Sequence, residues 1–152
     1  MTTRSAPSPP RLGDLDLRPI VAVGRSTRIV EATRTMHRHD IDWLVVAEPG
    51  ERIAVLTERE VTRAVADARG LDAAVGTIAC ADPLTLPADA GVLDAAMAML
   101  RRGVRHVVVT RDARALGVVS AQEVMAALAE AVVPERLFLI ATHRISGGRG
   151  GR

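Results

Sequence analysis

A short pattern occurs twice in this chain at one fixed spacing. The stretch AVLTEREV occupies residues 54–61, and GVVSAQEV occupies residues 117–124, which is 63 positions later. With the same offset, residues 24–65 align with residues 87–128 without a gap, and apolar classes agree through most of the span. A repeat of this length predicts two copies of one structural unit, since neither copy buries much apolar surface alone.

Each copy shows the same succession of apolar runs and helical periodicities. One extra residue near Gly24 lets Pro19-Ile20 align with Pro83-Leu84, and each pair opens a short β run. Ser26 and Asp89 are residue types that cap helices, and helical spacing follows each of them. The predicted strands are 19–23, 43–47, 53–57, 83–86, 106–110 and 116–120, and the predicted second helices are 58–69, ended by Gly70, and 121–132. The unit is therefore β-α-β-β-α, twice.

Composition limits the class of protein. Apolar residues make up 48% of the chain and aromatic residues 1%, so the core must be aliphatic. The net charge of +2 gives no general attraction to nucleic acid, which we do not expect as a partner. The single cysteine, Cys80, fits a reducing compartment. We find neither a signal peptide nor a membrane segment of about 20 apolar residues, and therefore expect a cytoplasmic protein.

The repeated motif has two interpretations. Thr57 and Ser120 stand where an apolar strand gives way to a helix, whose first N–H groups lack partners and attract anions. Glu60 or Glu123, one turn later, would face the same opening and accept hydrogen bonds from sugar hydroxyls, so the pattern suits a ribose phosphate. The same spacing is that of a capping box, in which hydroxyl and glutamate satisfy backbone amides and no ligand is needed.

The duplicated unit, with IAVLTEREV and LGVVSAQEV closing each strand pair, resembles the cystathionine-β-synthase (CBS) domain, and two in tandem resemble a Bateman module. The resemblance implies an α/β (α+β) fold, a tandem CBS-domain pair with pseudo-two-fold symmetry. It also implies adenosine derivatives bound in the cleft between the repeats, and pairing of two modules. We accordingly expect a disordered segment at 1–11, CBS repeats at 12–75 and 76–132, and a partly flexible tail at 133–152.

The family motif is Gly-apolar-apolar-Thr/Ser-x-x-Asp, whose hydroxyl contacts phosphate and whose Asp contacts ribose. Thr57 and Ser120 match the hydroxyl, while Glu60 and Glu123 stand where the motif has Asp. At the glycine position the second copy has Gly117 and the first copy has an alanine. The resemblance thus implies a ligand-binding role for the hydroxyl and the glutamate of each copy.

A second family position is a basic pair before the central strand, which can contact phosphates. Arg105-His106 matches it by type, whereas the first copy has Asp42-Trp43. Asp42 would repel phosphate, and Trp43 would either stack on a base or fill the core. We therefore expect the two copies to differ as binding sites.

No catalytic or metal-binding set stands out. His37 and His39 are two positions apart and would point to different sides of a helix, and Cys80 is expected to be a small apolar filler. The segment 134–152 holds the only Phe and could dock on the module or on a sister subunit, and its basic end could contact RNA, an acidic partner or nothing.

We expect a stand-alone CBS-pair regulatory or sensor protein rather than an enzyme. It would require no cofactor, bind AMP, ADP, ATP or S-adenosylmethionine as ligand, form a homodimer and signal to an unidentified regulated protein by conformational change. The alternative is a structural or protein–protein interaction module that binds no small molecule.

Overall fold

The structure, a computed structural model, describes residues 10–132. The predicted β-α-β-β-α order is confirmed in both copies. The first copy contains β1 (Ala22–Val23), α1 (Ile29–His39), β2 (Trp43–Val46), β3 (Ala54–Thr57) and α2 (Glu58–Ala66), and the second contains β4 (Thr85–Pro87), α3 (Val92–Arg102), β5 (His106–Arg111), β6 (Arg114–Ser120) and α4 (Ala121–Val132). Residues 1–9 of the expected disordered segment and the expected tail from 133 onward lie outside the described residues.

Each copy forms a three-stranded sheet. In the order β1-β2-β3, β1 pairs parallel with β2 and β2 pairs antiparallel with β3; the order β4-β5-β6 repeats this arrangement. Ala22 lies opposite Val45 and Thr85 lies opposite Val108, so the offset of 63 persists through the first strand. The extra residue predicted near Gly24 is therefore wrong. The prolines that suggested it precede the paired residues and do not set the register.

The predicted helix caps at Ser26 and Asp89 are wrong. Both residues lie in turns, and α1 and α3 begin three positions later, after Arg28 and Gly91. Arg28 and Gly91 are extended and form isolated β-bridges, the first with Ala74 and the second with Arg11. The backbone becomes helical only beyond these bridges, which residues distant in sequence provide.

The end of α2 also differs from the prediction. The helix stops at Ala66, and Ala68, not Gly70, adopts a left-handed conformation with a φ of 56°. The left-handed region is sterically costly for alanine, so the residue type at position 68 does not predict a helix end there. The prediction based on Gly70 therefore placed the end of α2 too late.

The chain divides into two compact units in which the segments before each copy are exchanged. Among the described residues, 19–83 form the first unit, and 10–18 together with 84–132 form the second. The segment that precedes the first copy thus belongs to the unit built by the second copy. We call residues 10–18 and 71–82 the lead segments.

Equivalent hydrogen bonds hold the two lead segments. The amide of Leu12 donates to the carbonyl of Ala90 at 2.9 Å, and the amide of Val75 donates to the carbonyl of Thr27 at 2.8 Å. Both pairs are related by the same 63 positions, and Leu12 and Val75 are fully buried. Each lead segment therefore supplies a core residue to the copy that it does not precede: residues 10–18 to the second copy, and residues 71–82 to the first.

Both cores are aliphatic, as predicted. The first unit buries Ile29, Ala32, Met36, Leu44, Val46, Ala54, Leu56, Ala64 and Val75. The second buries Leu12, Leu84, Ala88, Val92, Ala95, Met99, Val107, Val109, Val119, Val124 and Ala127. Within residues 10–132, no helix has the length and apolar character needed to cross a membrane.

Candidate functional site

In the first unit, Thr57 ends β3 and caps α2. Its amide donates to Glu60 Oε2 at 2.9 Å, its hydroxyl donates to the same oxygen, and the amide of Arg59 donates to Thr57 Oγ1 at 3.3 Å. The amide of Glu58 donates to the carbonyl of Asp42 at 3.2 Å. The capping-box interpretation is confirmed here, because hydroxyl and carboxylate both serve the start of the helix.

In the second unit, Ser120 and Glu123 form the same arrangement at the start of α4. The amide of Ser120 donates to Glu123 Oε2 at 2.6 Å, and the amide of Glu123 donates to Ser120 Oγ at 3.3 Å. The amide of Ala121 donates to the carbonyl of Arg105 at 2.8 Å. Both units therefore contain the capping box, and a ligand role for these side chains remains a prediction.

We call the place where β3 leads into α2 the first junction and the place where β6 leads into α4 the second junction. Arg18, from the first lead segment, contacts the second junction, and sequence reasoning missed this contact. Its Nε donates to Glu123 Oε1 at 3.0 Å, and its backbone amide and carbonyl each bond to Val118 at 3.1 Å. Arg18 and Glu123 are 105 positions apart, so only the exchange of lead segments brings them together. The pair is partly exposed, and an ion pair of this kind contributes at most about 1 kcal/mol to folding.

The basic pair predicted to contact phosphate lies at this same junction. His106 is the register partner of Ser120 in the β5–β6 ladder, and Arg105 directly precedes the strand. The Arg105 side chain is exposed, and His106 is partly buried. Arg105 and His106 therefore lie at the end of the sheet where α4 begins, and Arg18 reaches the same helix start through Glu123. Guanidinium groups suit phosphate oxygens, which they bind through paired N–H donors.

The first unit has a different side chain at each corresponding place. Trp43 is the register partner of Thr57 and is only 1% exposed, which confirms core filling rather than an exposed stacking platform. Asp42 stands where the second unit has Arg105. At the equivalent of the Arg18 bridge, Cys80 pairs its backbone with Val55. Cys80 is exposed, so its prediction as a buried filler is wrong.

Gly117, which matches the family glycine, has a local structural reason. A Cβ built at this position would lie 2.8 Å from both the carbonyl oxygen of Arg18 and the Cβ of Leu17. The first lead segment therefore approaches the strand too closely for any larger residue. The corresponding Ala54 is buried in the first unit, where its methyl group has room.

A metal site finds no support in the described part of the chain. Within residues 10–132, no three His, Cys, Asp or Glu side chains are grouped so that they could hold an ion. His37 and His39 are exposed in the last turn of α1.

Comparison with known proteins agrees with this fold. The structure is similar to that of a CBS-domain-containing protein from Agrobacterium tumefaciens, with a TM-score of 0.75 and 25% identity, covering 84% of this chain and 99% of that one. It is also similar to a CBS domain protein from Pyrobaculum aerophilum complexed with AMP, with a TM-score of 0.70 and 30% identity, covering 80% of this chain and 97% of that one.

A curated relative and a family model extend the comparison. A 17.7 kDa protein of Acidianus ambivalens is 29% identical over 111 residues, which cover 72% of this chain and 67% of the relative. The model of the CBS domain matches residues 12–67 and again residues 75–130. This chain therefore belongs to the CBS domain family and carries two CBS domains in tandem.

Proposed function

We propose that this protein is a regulatory CBS pair that binds an adenosine nucleotide and signals to a partner protein through a conformational change. The observation that carries the proposal is the group of basic residues around the helix start in the second unit, Arg18, Arg105 and His106 near Ser120. The relative from Pyrobaculum aerophilum, which is 30% identical, was obtained as a complex with AMP. A nucleotide that favours one conformation of the protein shifts the population that a partner recognises.

The second junction is the stronger candidate for the phosphate. Ser120 would donate its hydroxyl to a phosphate oxygen, and Arg105 and His106 would add positive charge. At the first junction the Thr57 hydroxyl already donates to Glu60 Oε2, and Asp42 stands in place of the arginine and opposes an anion. We therefore rank the second junction first and assign the Thr57 site a weaker affinity.

The glutamates would hold the ribose without leaving their capping boxes. A carboxylate accepts about four hydrogen bonds. Glu60 uses Oε2 for its bonds to Thr57, while Glu123 uses Oε2 for the Ser120 amide and Oε1 for Arg18. Each has acceptor positions beyond these bonds for the vicinal hydroxyls. The positive charge at the second junction favours AMP, ADP or ATP over S-adenosylmethionine, whose sulfonium is cationic.

A thermal shift assay tests the proposal. A nucleotide at 100 times its dissociation constant stabilises the fold by about 2.7 kcal/mol, which raises the melting temperature of a chain of this length by about 5–10 °C. Adenosine without phosphate is the matched control and should shift the melting temperature less. Ser120→Ala should remove most of the nucleotide shift, and Thr57→Ala should leave most of it.

A structural or protein–protein interaction module is the second candidate function. The complete capping boxes favour it, since Thr57 and Ser120 already satisfy the helix amides. Under this function no nucleotide shifts the melting temperature, and Ser120→Ala and Thr57→Ala each cost only about 1 kcal/mol of cap stabilisation.

We further propose that the protein acts in the cytoplasm as a homodimer and without catalysis or a required cofactor. The single cysteine fits a reducing compartment. Light scattering at several concentrations measures the oligomeric state directly, and a monomer at all concentrations would contradict the dimer.

A further inference from the structure

The first lead segment lies directly against β6, the strand that leads into the second junction. The amide of Arg18 donates to the carbonyl of Val118, and the amide of Val118 donates to the carbonyl of Arg18, both at 3.1 Å. Gly117 permits this approach, since a Cβ at its position would lie 2.8 Å from the carbonyl oxygen of Arg18. Nearer the start of the segment, Leu12 is fully buried and its amide is hydrogen-bonded. The segment is therefore attached to the second unit at two separate places.

This backbone pairing places a cation on the carboxylate of the proposed ribose site. Arg18 Nε donates to Glu123 Oε1 at 3.0 Å, and the amide of Ser120 donates to Glu123 Oε2 at 2.6 Å. The side chains of Arg18 and Glu123 are 51% and 27% exposed, so a ligand in solution can reach both. The first lead segment thus orients Glu123 and brings positive charge to the second junction, which makes Arg18 a positioning residue.

The first unit shows that the fold does not require this ion pair. In the other lead segment, residues 71–82, Cys80 forms the same two backbone bonds with Val55, at 2.8 and 2.9 Å. Val55 precedes Val118 by the offset of 63 positions that relates the two copies. Cys80 has no cationic side chain with which to hold Glu60. The backbone bridge therefore forms with or without a cation, and the contact between Arg18 and the capping glutamate is particular to the second unit.

We infer that docking of the first lead segment and binding of a nucleotide at the second junction stabilise each other through Arg18 and Glu123. The inference rests on the proposed function and names the segment that responds to the ligand. While the segment is docked, Glu123 is held for the ribose and the charge of Arg18 lies near the phosphate; when the segment lifts, both are lost. Coupling is reciprocal, so the nucleotide favours the docked segment by the same factor by which docking favours the nucleotide. A partly exposed ion pair limits this factor to about fivefold.

Amide hydrogen exchange of the full chain with and without saturating AMP measures this coupling, because exchange reports local opening. With AMP, the amides of Leu12 and Arg18 should exchange about threefold to fivefold more slowly, and the equivalent amides of Val75 and Cys80 should change less. Arg18→Gln keeps the backbone bonds and should abolish the slowing and raise the dissociation constant of AMP about threefold to fivefold, and Arg18→Lys should restore part of both. Arg11→Gln is the matched control and should change neither, since Arg11 lies in the same segment but its side chain bonds to a carbonyl in the turn before α3.

The outcomes separate this coupling from the proposed function. If AMP raises the melting temperature but leaves exchange at Leu12 and Arg18 unchanged, the coupling is overturned and nucleotide binding stands. Equal slowing at Val75 and Cys80, or slowing that persists in Arg18→Gln, would also overturn it, because stabilisation of the whole chain would then account for the effect. If AMP neither raises the melting temperature nor slows exchange anywhere, the proposed function fails and the coupling fails with it.

Discussion

The two units share one fold and differ at the strand ends and on the exposed helix faces. Their strand order, register and buried positions repeat with the same offset, down to the bonds that hold Leu12 and Val75. Yet one strand end is cationic and the other carries an aspartate, and one outer helix face is apolar and the other polar. Positions that are alike in both units serve the fold, because each sheet requires them. Positions that differ are free of that requirement and can carry separate functions.

Substitutions that test the exchange of lead segments should have the largest effect on the free energy of unfolding. Leu12→Ala removes a fully buried side chain and should destabilise the protein by about 3 kcal/mol, while Val75→Ala should cost about 2 kcal/mol. Hydrogen exchange would locate each loss. Leu12→Ala should lower amide protection most in α3 and β5, and Val75→Ala most in α1 and β2. If Leu12→Ala instead weakens chiefly the copy that follows it in sequence, the exchange is wrong.

Substitutions at the position where the second unit has Gly117 and the first unit has Ala54 should have an intermediate effect on stability. Gly117→Ala places a methyl group 2.8 Å from the carbonyl oxygen of Arg18, and we expect a loss of about 2 kcal/mol from the strain of overpacking. Ala54→Gly in the first unit removes a buried methyl group and should cost about 1 kcal/mol. Denaturant midpoints of both variants measure the difference. Equal losses would mean that the lead segment does not set the requirement for glycine.

Substitution of the capping glutamate at the start of α1 should have the smallest effect on stability, and this effect should depend on pH. Hydrogen bonds from the Arg28 side chain hold the pKa of Glu31 below its ordinary value of 4.5. A lowered carboxylate pKa in the fold stabilises the protein above the unfolded pKa, and this contribution disappears as pH falls through the folded value. Glu31→Gln should therefore lower the melting temperature slightly at pH 7 and progressively less below about pH 4.5.

The second unit supplies the control for that variant. Asp94 occupies the corresponding position, but its helix is capped by Gly91, which has no cationic side chain. Asp94→Asn should therefore change the melting temperature less than Glu31→Gln does at pH 7. A larger effect for Asp94→Asn would contradict the role given to Arg28.

Hydrophobic periodicity predicted the strands and helices, because the burial of one face imposes this pattern within each element. The strands at Trp43–Val46 and His106–Arg111 are apolar runs that any interior requires, and the capping boxes at Thr57 and Ser120 lie within four residues of sequence. These features were therefore available from the sequence alone, together with the offset that relates the copies.

Features set by distant pairing could not be predicted in this way. The start of α1 depends on a bridge between Arg28 and Ala74, and the junction cation Arg18 reaches Glu123 across 105 positions. The short lead segments carry little periodicity, so nothing in their sequence indicates which sheet they join. The repeated offset between Leu12 and Val75 was the one available signal.

The assignment of the nucleotide to the cationic strand end is tested most directly by backbone amide NMR during titration with AMP. The account predicts that the largest shifts occur at Arg105, His106 and residues 120–123, with smaller shifts at residues 57–60. Shifts concentrated at residues 57–60, or none anywhere at millimolar AMP, would contradict it.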